Sequence, residues 1–137
     1  MKFIQLLGVS SYPGRFKVLR SIDPNGVVTE NTYDLRQRLL STTVGTAPNA
    51  QTTSYQYDPV DQLKRLTLPD ASWTGYDYDD AHRLVAVYDH LGNRSTYTLD
   101  NAGNRTAEVT TDPGGALKRQ MSRSIDALGR VQQATGF

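Results

Sequence analysis

An apolar residue followed by aspartate recurs along this chain at a near-constant interval. A repeat of that kind constrains the fold more than any single segment does. The pair stands at Tyr33-Asp34, Tyr57-Asp58, Tyr78-Asp79, Leu99-Asp100 and Ile125-Asp126, so the aspartates are 24, 21, 21 and 26 residues apart. Two residues before each apolar member stand Asn31, Tyr55, Tyr76, Tyr97 and Arg123. Four residues after each aspartate stand Arg38, Gln62, Arg83, Asn104 and Arg130, all polar; the next positions are Leu39, Leu63, Leu84, Arg105 and Val131. Between the units lies a second set of turn sequences: Asp23-Pro24-Asn25-Gly26, Pro69-Asp70-Ala71-Ser72, Asp89-His90-Leu91-Gly92-Asn93 and Asp112-Pro113-Gly114-Gly115. A worn half-unit stands upstream as Pro13-Gly14-Arg15-Phe16.

The physical unit follows from turn chemistry. Proline presets φ, aspartate accepts turn N–H groups, and glycine or asparagine takes the position with φ > 0. A strand ending in Tyr-x-Tyr enters a turn at Asp, and a second strand such as Arg83–Tyr88 leaves it. Each unit is therefore a β-hairpin of roughly twenty residues, marginal alone and completed by its neighbours. Residues at i and i+2 share a strand face. Tyr55 with Tyr57, Tyr76 with Tyr78, and Tyr97 with Leu99 are the same-face pairs. The arginine four residues after an aspartate is placed to pair with it or with the aspartate of a neighbouring unit. Ser41–Ser54, small, polar and uncharged, reads as an enlarged hairpin tip or loop and lengthens the first interval.

Composition agrees with strands and turns. The chain has 12 Asp against 2 Glu, 15 Thr, and 8 Tyr among its aromatic residues, while glycine and proline together number 17. Helical surfaces favour glutamate and lysine instead. Lys+Arg 15 against Asp+Glu 14 gives a net charge of +1, which excludes a strongly basic nucleic-acid protein. With no cysteine, thiolate chemistry, disulfides and thiolate metal sites are excluded. Hydrophobic residues are 37 %, so any core is thin. The opening MKFIQLLGVSS is too short an apolar patch for a signal-peptide core, and no run reaches the ~18 apolar residues of a membrane helix.

The string Tyr-Asp-x-x-x-Arg-Leu, with Asp-Pro-x-Gly between units, resembles the YD repeat of RHS proteins. The same repeat occurs in Tc-toxin shell subunits and in teneurins. The residues that carry it are Tyr57-Asp58 to Gln62-Leu63, Tyr78-Asp79 to Arg83-Leu84, Leu99-Asp100 to Asn104-Arg105, Ile125-Asp126 to Arg130-Val131, and Asp23-Pro24-Asn25-Gly26. The likeness runs from about residue 12 to 134. It implies an all-β fold of tandem hairpins winding as a continuous antiparallel sheet, an open segment of a shell that in large bacterial members encloses a toxic domain. Residues 1–137 then form a single YD-repeat domain of about five units, anchored at Asp34, Asp58, Asp79, Asp100 and Asp126. Five units are too few to close a shell, so the expectation is part of a larger wall or a short relative. The partners implied are other YD-repeat segments or a second copy through open sheet edges, and a toxin domain. The location implied is secreted or at the cell surface.

Each candidate site has a plain reading beside the sharper one. The aspartates Asp34, Asp58, Asp79, Asp100 and Asp126, with Arg38, Arg83 and Arg130, read as turn caps. Asp77, Asp79 and Asp80 are the densest acidic cluster, yet strand alternation splits them between faces, and calcium wants about six to eight oxygens. No metal, cofactor or catalytic residue is expected. His82 and His90, the only histidines, fall in turns, and no nucleophile elbow, phosphate loop or zinc motif is present. Asn93-Arg94-Ser95 and Asn104-Arg105-Thr106 match the glycosylation acceptor pattern by chance. Tyr55, Tyr57, Trp73, Tyr76, Tyr78 and Tyr97 read as one packed sheet face, with a carbohydrate or cargo platform as the functional alternative. The expected function is a non-enzymatic structural module that encapsulates or presents a toxin, with carbohydrate binding as the competing reading.

Overall fold

The computed structural model describes residues 5–6, 9–12 and 15–137, with side chains from Lys17 onward. Pro13 and Gly14 of the upstream half-unit lie outside the described residues. The fold is all-β, built of tandem antiparallel hairpins, with no helix among the described residues. No helix is long and apolar enough to cross a membrane.

The chain divides into two compact units. The first holds residues up to Gln56 together with Leu66–Ala71. Its strands are β1 (Gln5–Leu6), β2 (Val9–Tyr12), β3 (Arg15–Val18), β4 (Arg20–Ile22), β5 (Val28–Tyr33), β6 (Leu39–Val44) and most of β7 (Gln51–Tyr57). β1 pairs with β4, and β4, β5, β6 and β7 then pair in chain order, all antiparallel, while β2 pairs with β3. Much of Ser41–Ser54 is strand: Ser41 lies opposite Ser54 and Val44 opposite Gln51, leaving only 45–50 as the tip. The threonines explain the difference, since a β-branched side chain favours a pleated strand even where no apolar pattern announces one. Hydroxyls pair across these strands, Thr32 with Ser41 at 2.6 Å and Thr43 with Thr52 at 2.9 Å.

The second unit holds Tyr57–Arg65 and Ser72–Phe137. It takes in Leu63–Arg65 of β8 (Leu63–Thr67), then β9 (Trp73–Tyr78), β10 (Leu84–Asp89), β11 (Arg94–Leu99), β12 (Arg105–Thr111), β13 (Leu117–Ile125) and β14 (Val131–Gly136). From β9 to β14 each strand pairs antiparallel with the next. Val28 and Ala86 are the only buried apolar side chains among the described residues. Most strand residues are half-buried, so ladder hydrogen bonds and cross-strand side-chain pairs carry the stability, each such pair adding ~0.2–1 kcal/mol.

One irregularity recurs. Beside the turns that begin at Asp34, Asp79, Asp100, Asp112 and Asp126, the residue before Asp pairs with the fifth after it: Tyr33 with Leu39, Tyr78 with Leu84, Leu99 with Arg105, Thr111 with Leu117, Ile125 with Val131. The residue two before Asp then pairs with the seventh after it, leaving one extra residue in the returning strand, a β-bulge. The turns at Asp23 and Asp89 close without a bulge, Ile22 facing Val28 and Tyr88 facing Arg94.

Candidate functional site

The distinctive chemistry of this chain is concentrated in its turns. Eight of the twelve aspartates, Asp23, Asp34, Asp58, Asp79, Asp89, Asp100, Asp112 and Asp126, open the same turn. In each, the Asp N–H donates to the carbonyl four residues on, and the N–H three residues on donates back to the Asp carbonyl, at 2.8–3.2 Å. The third residue after Asp always has positive φ, from 62° at His82 to 93° at Gly92. This is a three-residue hairpin loop, a type I turn followed by a left-handed residue. The two turn sets that the sequence separates, Tyr-Asp and Asp-Pro-x-Gly, thus share one geometry.

The Asp side chain completes the turn. Its Oδ1 accepts the main-chain N–H four residues on: Val27, Arg38, Gln62, Arg83, Asn93, Asn104, Ala116 and Arg130 donate at 2.8–2.9 Å. Its Oδ2 takes a side-chain donor, Arg38 Nε at 2.6 Å, Arg83 Nε and Arg130 Nε at 2.8 Å, Asn93 Nδ2 at 2.8 Å and Asn104 Nδ2 at 2.9 Å. Arg38, Arg83 and Arg130 therefore bond the aspartates of their own turns. The amides of Asn93 and Asn104, the glycosylation-pattern residues, are likewise engaged within turns.

These bonds depress the carboxyl pKa values of Asp34, Asp79, Asp89, Asp100, Asp112 and Asp126. At Asp79 the Arg83 side chain and then its N–H hold the carboxylate below its ordinary value; at Asp89 and Asp100 the amides of Asn93 and Asn104 lead. At Asp112 the Lys118 side chain leads, and at Asp126 the N–H of Arg130. At Asp34 desolvation is the largest influence and opposes the shift, but the combined hydrogen bonds of Arg38 outweigh it.

Successive turns on one end of the second unit are tied together. Gln62 Nε2 donates to the His82 carbonyl at 2.9 Å, and its Oε1 lies 3.3 Å from His82 Nδ1. Arg83 Nη1 donates to the Asp100 carbonyl at 2.8 Å. The tyrosine of the pair reaches the other way. Tyr78 donates its hydroxyl to the Leu63 carbonyl at 2.9 Å, and within the first unit Tyr33 does the same to Val18 at 3.2 Å, each 15 residues back. These residues thus have separate physical tasks: Asp closes the turn, Gln62 and Arg83, each four residues after an Asp, reach forward, and Tyr33 and Tyr78 reach back.

The aromatic residues do not share one face. β9 alternation and the pairing of Tyr76 with Val87 set Tyr76 and Tyr78 on one side, with Tyr97 on that side too through Val87–Ser95. Trp73 lies on the other side, three residues from Tyr76, and meets Tyr88 edge-on at 5.9 Å. Tyr88, absent from the sequence candidates, lies over Gly75, where an added Cβ would sit 2.5 Å from its ring. Arg65 stacks on Trp73 at 4.0 Å, Arg94 on Tyr88 at 5.1 Å, and Arg94 also pairs with Asp77 at 2.7 Å. On the opposite side Arg105 stacks on Tyr97 at 3.5 Å. A guanidinium thus occupies one face of Trp73 and of Tyr97, which removes that face from stacking against a sugar ring. Tyr55 and Tyr57 lie in β7, two residues apart.

His82 and His90 are exposed and sit at opposite ends of β10. A shallow groove of about 450 Å³ joins His82 to the carboxylates of Asp58, Asp77, Asp79 and Asp80, with Tyr76 and Tyr78 also in its wall. Among the described residues no group of three His, Cys, Asp or Glu side chains could hold a metal ion.

With this geometry in place, the comparisons with known proteins are specific. Residues 78–117 match the RHS Repeat family model, the stretch that contains the Asp79, Asp89, Asp100 and Asp112 turns. That stretch is an RHS repeat. No curated protein matches the chain. Among solved structures, the chain is similar to TcdB2-TccC3, at 20 % identity and a TM-score of 0.67, over 80 % of this chain and 7 % of that one. It is similar to TcdB2-TccC3 without its hypervariable C-terminal region, at 20 % identity and 0.69, over 84 % and 7 %. It is also similar to a Photorhabdus luminescens Tc holotoxin pore, at 17 % identity and 0.62, over 85 % and 7 %. At these identities the likeness is one of fold, and this chain spans only 7 % of those chains.

Proposed function

We propose that this chain is a non-enzymatic structural module of a secreted toxin complex, a length of RHS-repeat wall that encloses or presents a toxin. The observation that carries this reading is the self-similarity of the turns. Eight Asp-capped loops share one geometry, and in the second unit some of them bond forward and back to one another. Such an array is extended by adding units, which suits a wall. The two histidines lie at opposite ends of one strand, and the lowered carboxyls are all engaged in turns. The structural likeness to TcdB2-TccC3 supports the same reading at the level of fold. The test is co-expression of the chain with the reading frame that adjoins it in its genome. Co-purification, with the second product resistant to trypsin until the RHS-repeat chain is unfolded by urea, is the expected result. A second product cleaved equally fast with and without the chain overturns the proposal.

A further inference from the structure

On one end of the second unit, the Asp58, Asp79, Asp100 and Asp126 turns follow one another. A side chain four residues after the first aspartate bridges the first two pairs of neighbours, and the third pair lacks that bridge. Between the Asp58 and Asp79 turns, Gln62 Nε2 donates to the His82 carbonyl at 2.9 Å. Between the Asp79 and Asp100 turns, Arg83 Nη2 holds the Asp79 Oδ2 at 2.7 Å and Nη1 donates to the Asp100 carbonyl at 2.8 Å. Between the Asp100 and Asp126 turns the equivalent residue is Asn104, whose Nδ2 stays on its own Asp100 Oδ2 at 2.9 Å. The turns nonetheless stack in the same way. A Cβ added at Gly129 would lie 3.6 Å from Asn104 Oδ1, as one at Gly103 would lie 4.0 Å from Arg83 Cδ.

The place that the Arg83 guanidinium fills in one pair is open in the next. A cleft of about 580 Å³ lies between the Asp100 and Asp126 turns. Its wall contains both aspartates and Asn104, with Ala102 and Leu128, and no cationic side chain. Three acceptors there have capacity to spare. The Oδ2 of Asp100 takes one side-chain donor, where that of Asp79 takes two, Arg83 Nε at 2.8 Å and Nη2 at 2.7 Å. Among the described residues the Asp126 carbonyl accepts the Gly129 N–H alone, at 2.9 Å, where the Asp100 carbonyl accepts both the Gly103 N–H at 3.0 Å and Arg83. Asn104 Oδ1 has no hydrogen-bond donor among the described residues.

We infer that the Asp100–Asp126 cleft receives an arginine side chain from a separate polypeptide. Its guanidinium repeats the part that Arg83 plays one turn earlier. One Nη donates to Asp100 Oδ2 and the other to the Asp126 carbonyl, while the apolar stem lies against Leu128 and Ala102. Lysine fits worse, because a single ammonium cannot present the planar fork that spans a carboxylate and a carbonyl. The inference goes beyond the structural-module reading: it assigns a docking point and the kind of side chain that fills it.

The experiment is an NMR titration of the full ¹⁵N-labelled chain with the capped tripeptide Gly-Arg-Gly, and with capped Gly-Lys-Gly, which carries the same charge. The expected result is saturable shifts of the Asn104 and Gly129 amides at millimolar arginine peptide, and binding of the lysine peptide weaker by about fivefold or more. Asn104→Arg supplies the guanidinium from within the chain, as Arg83 does, and should abolish those shifts. Equal binding of the two peptides overturns the inference, as does the absence of saturable shifts at Asn104 and Gly129. Folded Asn104→Arg that binds the arginine peptide as tightly as the parent overturns it too. The peptide comparison is made on the parent chain, so it decides the matter whatever Asn104→Arg does to folding. The structural-module reading is decided separately, by trypsin protection.

Discussion

Arg83 belongs to two turns at once: Nε and Nη2 hold the Asp79 carboxylate at 2.8 and 2.7 Å, and Nη1 donates to the Asp100 carbonyl at 2.8 Å. The first contact is local and shared with Arg130; the second spans 17 residues and two strands. Arg83→Ala and Arg130→Ala therefore separate turn closure from turn stacking. Arg83→Ala is expected to cost about 1 kcal/mol more than Arg130→Ala, the contribution of one charge-assisted hydrogen bond at a half-exposed site. Urea denaturation of both variants measures the difference, and equal losses would show that the bond to Asp100 contributes nothing to stability.

Tyr78 offers the same test in the reverse direction. Its hydroxyl bonds the Leu63 carbonyl at 2.9 Å, whereas the Tyr76 hydroxyl, two residues away on the same face, has no partner among the described residues. Tyr78→Phe should cost ~0.5–1.5 kcal/mol, and Tyr76→Phe should stay within ~0.5 kcal/mol of the parent. Burial, with Tyr76 and Asp58 nearby, raises the Tyr78 phenol above its ordinary pKa. The fold thus favours neutral Tyr78, a contribution to stability that is fully present below the unfolded phenol value of about 10 and lost as pH rises from there through the higher folded value. Absorbance titration at alkaline pH should show one late-ionising tyrosine that is missing from Tyr78→Phe.

The turn carboxylates predict the acid side. Asp34, Asp79, Asp89, Asp100, Asp112 and Asp126 all have lowered pKa values in the folded chain. A depressed carboxyl contributes stability that is fully present above its unfolded value, about 3.9, and lost as pH falls through the folded values. The melting temperature should therefore be nearly level from pH 7 to about 5 and fall steeply below about pH 4. Asp79→Asn, which keeps an Oδ1 acceptor but not the charge facing Arg83, should melt lower at pH 7 and lose less than the parent on acidification. A melting curve for Asp79→Asn that parallels the parent at every pH would remove the carboxylate from the account.

Much of this was legible in the residues themselves. The spacing of Tyr-Asp pairs marks the hairpins, because a turn must recur wherever a strand of fixed length ends. The equivalence of the second turn set was also within reach: Gly26, Gly92 and Gly115 stand three residues after Asp23, Asp89 and Asp112, as Gly103 and Gly129 do after Asp100 and Asp126. Tyr88-Asp89 stands midway between the period's anchors and belongs to that second set. Trp73 leaves the face of Tyr76 on parity, since three residues separate the two and a strand repeats every two. The guanidinium stacks and the bulges were not legible. Which long side chain lies over which ring depends on the register between strands, and one extra residue beside a turn leaves no mark in composition.

Left-handed positions without glycine give a stabilising change. Ala71 has φ 67° in the turn where its N–H bonds the Leu68 carbonyl at 3.0 Å, and its methyl makes no hydrogen bond to lose. An L-residue there costs ~1–2 kcal/mol, and glycine returns roughly half of that as unfolded-state entropy. Ala71→Gly should raise stability by about 0.5–1 kcal/mol, and Gly103→Ala, at φ 88°, should lower it by about 1 kcal/mol or more. Calorimetry showing Ala71→Gly at or below the parent would mean that the Leu68–Ser72 turn is not held in this conformation.

Gly75 lies in mid-strand, where glycine is ordinarily a weakness, and here the ring of Tyr88 covers it. An added Cβ would meet Tyr88 Cε2 and Cζ at 2.5 Å, so any side chain must lift the ring. Lifting it breaks the edge-on contact with Trp73 at 5.9 Å and moves the ring on which Arg94 stacks. Gly75→Ala should cost ~1–3 kcal/mol by overpacking. The chain has a single tryptophan, so its fluorescence reports the contact directly. Emission from Gly75→Ala should shift to the red and quench more readily with acrylamide than the parent. Tyr88→Leu should reproduce that shift without a Cβ at position 75. If Gly75→Ala keeps the parent's emission and stability, Tyr88 does not lie over the glycine in solution.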